Sequence, residues 1–215
     1  MKAKNRRVLI IGGLVIGGIA LAIFIFALRR GLSSLLIQLL TETTRIEVHT
    51  DISEYSKYMF GSEAEENYQS KWGMDESIFP AEITPNMNVL DYKMVYYDPW
   101  DAQYLGYLVV SYDDADYEKE VERLTQYAST DYLGYYGVTG FSEKYRLLSM
   151  FANSYLGFVY ALTDDENTII YVEMIFCNYF MDLDYNKYIP QDYLPLGFDA
   201  TIDNAYKKEK LGDNT

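Results

Sequence analysis

The chain has 215 residues, with 18 Lys and Arg against 32 Asp and Glu, one histidine and one cysteine. Those counts exclude an intramolecular disulfide and a multi-histidine metal site, and leave almost nothing from which to build structural zinc. From residue 44 onward there are 12 Lys and Arg against 31 Asp and Glu, a formal charge of −19, which repels phosphate backbones and argues against nucleic acid as a partner.

The first element is residues 8–28, VLIIGGLVIGGIALAIFIFAL, which lack any charged side chain and are flanked by Lys2, Lys4, Arg6 and Arg7 before and by Arg29 and Arg30 after. At about 1.5 Å per residue a helix of this length spans a hydrocarbon core about 30 Å thick, so a single transmembrane helix contacting membrane lipid is expected. A secretory signal peptide has a shorter apolar region and a small-residue cleavage site. Ala27-Leu28-Arg29-Arg30 is a poor one, which favours an uncleaved anchor. The basic residues ahead of the helix place a tail, residues 1–7, in the cytoplasm, and the rest outside the cell membrane. Gly13, Gly17, Gly18 and Ala22 form a small-residue face on which two such helices could dimerise.

Residues 29–44 are expected as a helical or polar connector, and residues 45–200 as one acidic α+β domain. Ile46 and Val48 alternate with polar neighbours as in a strand, and Asp51 with Glu54 starts a helix that Gly61 would stop. A helical turn is expected around residues 75–79. Two strand-like runs, residues 89–97 and 103–112, read as a hairpin across Asp98-Pro99-Trp100-Asp101. Asp113 or Asp114 then caps a helix reaching about Ala128, with Tyr117, Val121, Leu124 and Ala128 as its apolar stripe.

Three further strands follow at residues 144–151, 155–162 and 167–177, and the last is apolar on both faces except for Glu173, the pattern of a central strand. The expected fold is a mainly antiparallel sheet of about five strands with two or three helices packed on it. Residues 201–215 are expected to fray. Tyr-Leu-Gly followed by an aromatic residue occurs three times, at unequal spacing, which reads as close packing in strands rather than as a repeat.

Little of this carries chemistry. A nucleophilic device would have to use His49, no Gly-x-Ser-x-Gly turn is present, and Cys177 sits in an apolar strand where thiols are inert. No cofactor or metal is expected: Asp182, Asp184 and Asn186 begin like a calcium loop, but Lys187 replaces the required glycine and Tyr193 the closing glutamate. The ligand-binding candidates are Tyr97, Asp98, Trp100 and Asp101 at the hairpin turn, where an exposed tryptophan between carboxylates suits a sugar or a peptide. The competing and favoured reading of Trp100 is a plug folded back onto the sheet.

The function expected is therefore a membrane-anchored, non-catalytic extracytoplasmic binding or interaction module with a protein or glycan partner. One alternative is a carboxylate-dependent cell-surface hydrolase acting on glycans, which needs two facing carboxyls about 5 to 9.5 Å apart. The other is a cytoplasm-facing regulatory subunit of a membrane complex.

Overall fold

The computed structural model describes residues 45–59 and 64–212. The anchor at residues 8–28, the face formed by Gly13, Gly17, Gly18 and Ala22, and the helix stop at Gly61 lie outside these. Among the described residues no helix is long and apolar enough to cross a membrane.

The domain is built on one six-stranded sheet in which every neighbouring pair is antiparallel, in the order β1-β2-β3-β6-β5-β4. The strands are β1 (Glu47–His49), β2 (Asn88–Tyr97), β3 (Gln103–Ser111), β4 (Arg146–Asn153), β5 (Gly157–Thr163) and β6 (Thr168–Ile175). β2–β3, β4–β5 and β5–β6 are hairpins, and the chain reaches the far edge of the sheet once, between β3 and β4. The sixth strand, beyond the five expected, is the short β1, which Ile46 and Val48 had marked.

Period-two alternation sorts the sheet residues onto two faces, and both are covered. Leu105, Tyr107 and Val109 of β3 and Ile170, Val172 and Met174 of β6 join a core closed by Tyr136, Leu194, Ala200 and Tyr206. Tyr104, Leu108, Ile169, Tyr171 and Ile175 point the other way, into a core closed by Tyr55, Tyr68, Ile78 and Leu124. Burial on both sides is what the unbroken apolar run of β6 requires.

The helices are short. Asp51 caps a single 3-10 turn by accepting from the Ser53 amide, and α1 (Tyr55–Tyr58) follows it. The Glu54 side chain turns to Lys57 and Tyr58 instead of closing a capping box. The helical turns of the next segment fall at Glu66–Tyr68 and Lys71–Gly73, not at residues 75–79, where the amide of Phe79 closes a simple turn on Glu76.

The longest helix, α2 (Asp114–Thr125), is capped by Asp113 through the Asp116 amide and drives Leu124 into the core. It stops short of Ala128. The helix α3 is the single turn Tyr185–Tyr188. Residues beyond 200 form α4 (Ala205–Leu211) in place of a frayed tail. The Asn204 side chain caps it, and Tyr206 lies 4.8 Å centroid to centroid from Tyr136. Tyr206 is its one buried residue, and Lys208 and Lys210 face solvent.

The outer edge of β4 is occupied by the loop before it. Thr130 donates its amide to Met150 and accepts from the Ala152 amide through its hydroxyl, while Ser129 accepts from the Met150 amide.

At the centre of the sheet stands a charge. Glu173 is wholly buried on β6, and the residue beside it on β3 is Gly106. A Cβ at that glycine would lie 3.0 Å from Glu173 Oε1 and 3.3 Å from Met94 Cε. The glycine of the first Tyr-Leu-Gly thus makes room for a carboxylate rather than for a ring. Gly106→Ala should therefore cost about 1–3 kcal/mol through overpacking, read as a lowered urea midpoint at unchanged slope; an unchanged midpoint would show that the carboxylate has room to move aside.

Candidate functional site

The connection between β2 and β3, residues 98–102, sits at one end of the sheet, and Trp100 at its tip is 87 % exposed. This overturns the core-plug reading: an indole placed on a bend between Pro99 and Asp101 has no sheet surface beneath it to cover. Tyr97, the last residue of β2, is half-buried and packs against the core that Tyr136 closes. Asp98 is half-buried and accepts from the Tyr96 hydroxyl at 3.3 Å.

The tip is held by neighbours distant in sequence. Asp101 accepts from Asn178 Nδ2 at 2.6 Å, and Asn178 Oδ1 accepts from the Tyr155 hydroxyl at 2.7 Å. Asn178 and Tyr179 both have positive φ, 61° and 66°, a conformation that asparagine tolerates better than most residues. Gln103 at the base donates to Asp182 at 2.9 Å and accepts from the amides of Asp182 and Leu183.

The second tryptophan of the chain reaches the same place. Trp72 Nε1 donates to the Ala102 carbonyl at 2.8 Å while its ring stays 42 % exposed. Lys71, Trp72 and Gly73 have φ of 32°, 58° and 74°, a left-handed turn. That turn sends Lys71 wholly inward and Trp72 outward. The candidate site is therefore the turn that carries Asp98, Trp100 and Asp101, with the half-exposed Trp72 indole bonded to its last residue, Ala102.

Trp72, Asn178 and Tyr155 were not among the residues singled out from sequence. Trp72 lies in a polar stretch with no periodicity, and its approach to the hairpin is purely tertiary. Of the three, Asn178 had the one readable signal, an asparagine just after a strand.

His49 is stacked on Tyr58 at 3.8 Å, with Tyr68 Oη 3.3 Å from its Nε2, inside a run of rings that continues through Tyr96 and Tyr104. Many of the tyrosines serve such packing, and several of their hydroxyls reach carbonyls or carboxylates at the margin, as Tyr104 does on Asn67 and Tyr107 on Asp91.

Asp182, Asp184 and Asn186 line a 290 Å³ cavity with Tyr185, Thr201 and Ile202. Asp182 is engaged by Gln103, and Asp184 opens α3. Among the described residues no group of three or more His, Cys, Asp or Glu is placed to hold a metal ion. Neither this cavity nor the 360 Å³ one beside α2, where Lys119 and Arg123 pair with Asp116 and Glu120, is lined by the hairpin tip.

Cys177 is buried, and desolvation together with the nearby Asp101 carboxylate pushes its thiol up to about 12. Only the thiolate reacts. Alkylation of the folded protein by iodoacetamide at pH 8 should accordingly run at least ~100-fold slower than in urea; comparable rates would show that the thiol opens to solvent. Compared with protein-family models, with curated proteins and with solved structures, the chain finds no match.

Proposed function

We propose that this is a single-pass membrane protein, with its N-terminus in the cytoplasm, whose acidic domain stands outside as a non-catalytic binding module. Its ligand docks on the end of the sheet that carries Trp100. The observation that carries this reading is the exposure of Trp100 on a turn whose Asp101 is hydrogen-bonded to Asn178: tryptophan is among the side chains most enriched as anchors of binding surfaces.

The chemistry of the tip limits the partner. The indoles offer flat apolar faces, and the side-chain oxygens of Asp98 and Asp101 accept hydrogen bonds. A complementary ligand presents an apolar face edged with donors, which describes a saccharide ring with its hydroxyls. The surrounding negative charge favours neutral or cationic glycans over phosphorylated ones.

The reading of the anchor rests on residues 8–28 and their basic flanks. A domain carrying −19 between residues 44 and 215 is repelled by anionic headgroups, which suits a module held away from the bilayer.

Trp72 and Trp100 are the only tryptophans, so intrinsic indole fluorescence reports on this site alone. Titration with neutral cell-wall glycan fragments should shift the emission. Trp100→Ala should weaken binding at least ~10-fold, about 1.4 kcal/mol or more, while leaving the thermal midpoint unchanged because the ring supports no core. No emission change across glycans of different linkage would remove the glycan reading, and a basic peptide that shifts it instead would reassign the ligand. Protease added to intact cells should degrade the domain; protection would place it inside.

A further inference from the structure

The structure buries one lysine and two glutamates together. Lys71, Glu76 and Glu173 have relative exposures of 0 %, 2 % and 0 %. Lys71 Nζ lies 3.0 Å from both oxygens of Glu173 and in hydrogen-bond contact with Glu76 Oε1. The Tyr104 ring lies 5.7 Å from the ammonium, and Gly106 and Met94 close the space beside Glu173. The other ionisable groups that feel the two carboxyls are the phenols of Tyr55, Tyr92, Tyr104 and, through Tyr55, Tyr112. The site is aromatic and shut off from bulk water.

A single ammonium cannot neutralise two carboxylates, so one carboxyl keeps a proton. It is Glu76: burial, then the charge of Glu173, push it up to about 9 against the pull of Lys71. Burial alone would strip the lysine of its proton, but the two glutamates outweigh it and hold Lys71 above its usual range. The trio is an ammonium, a carboxylic acid and a second carboxyl group, both carboxyls in contact with the ammonium.

We propose that Lys71 and Glu76 condense within the folded domain to an isopeptide bond, with Glu173 as the catalytic base. Glu173 takes a proton from the Lys71 ammonium, and the freed amine attacks Cδ of Glu76. The Nζ–Cδ bond forms and the Cδ–OH bond breaks. The proton on Glu173 goes to the departing hydroxyl, which leaves as water, and the remaining surplus proton of the nitrogen passes to Glu173. An ammonium, an acid and a carboxylate become an amide, a water and a neutral acid, with no oxidant or cofactor involved.

Two physical terms favour the product. Groups held in contact by a fold reach effective concentrations of about 10⁵–10⁸ M, which opposes the dilution of the product amide by water. The reaction also removes an ammonium and a carboxylate from a site where charges are costly. The left-handed turn at Lys71–Gly73 holds the amine at its partner.

The test is the mass of the full chain, extracted in detergent and denatured, followed by a tryptic map. The expected mass is lower than that of the sequence by one water. Cleavage after Lys71 should be lost, giving one fragment, residues 58–93, that carries the whole deficit. Cyclisation at an Asp also loses water, and at an Asn loses ammonia, but both leave cleavage after Lys71 intact, so either pattern overturns the proposal. So does the full sequence mass, which leaves the trio as ions. A crosslink joining residues 58–93 to residues 147–187 overturns the assignment by making Glu173 the acceptor. Glu173→Gln, matched in shape, should restore the full mass with tryptophan emission unchanged; a water loss that survives this substitution shows that Glu173 is not the base.

Discussion

A carboxyl group fixed in the middle of a sheet must be answered, because an ionised side chain out of water is unstable without a partner. Glu173 imposes that condition here. Its neighbour on β3 is glycine, and a side chain at position 106 would press on the carboxyl at 3.0 Å. Its partner has to come from outside the sheet, and it arrives as Lys71 from a chain segment that forms no strand and no long helix. Glu76 completes the group from the same segment. The irregular stretch between α1 and β2 is thus pinned through its least expected residues.

The same turn links the interior to the surface. Two successive non-glycine residues with positive φ, Lys71 and Trp72, are individually unfavourable by about 1–3 kcal/mol. They persist because Lys71 is held below and the Trp72 indole is hydrogen-bonded to Ala102 above. The spacing between the buried group and the hairpin carrying Trp100 is therefore set by one residue-to-residue step. Loss of Trp100 would leave the inner contact untouched.

The β-strands were readable because their burial is periodic. The hairpin at Asp98-Pro99-Trp100-Asp101 was visible from its turn residues, and the central place of β6 from its two apolar faces. Glu173 stood out as the single polar residue on one of them. Its partner did not, because Lys71 lies 102 residues away within Lys-Trp-Gly-Met-Asp-Glu-Ser, a string with the composition of a solvated turn. Local pattern carries no sign of which polar residue will be taken inside. The C-terminal segment was misread for a related reason: Lys207, Lys208 and Lys210 dominate its composition, and the anchoring ring of Tyr206 is one residue among them. The orientation of Trp100 was equally beyond local reading, since a tryptophan in a turn can fold either way until the neighbouring surface is known.

The two rims of the sheet behave differently from its centre. One ends in a strand of only three residues, and the other has its amides and carbonyls taken up by Ser129 and Thr130. The three-residue β1 pairs only with Met94, Val95 and Tyr96, so the outer border of β2 from residue 88 to 93 has no ladder partner among the described residues, whereas the β4 border is engaged. A further strand meeting this sheet would therefore find its place beside β2, next to the exposed Leu90, and not beside β4.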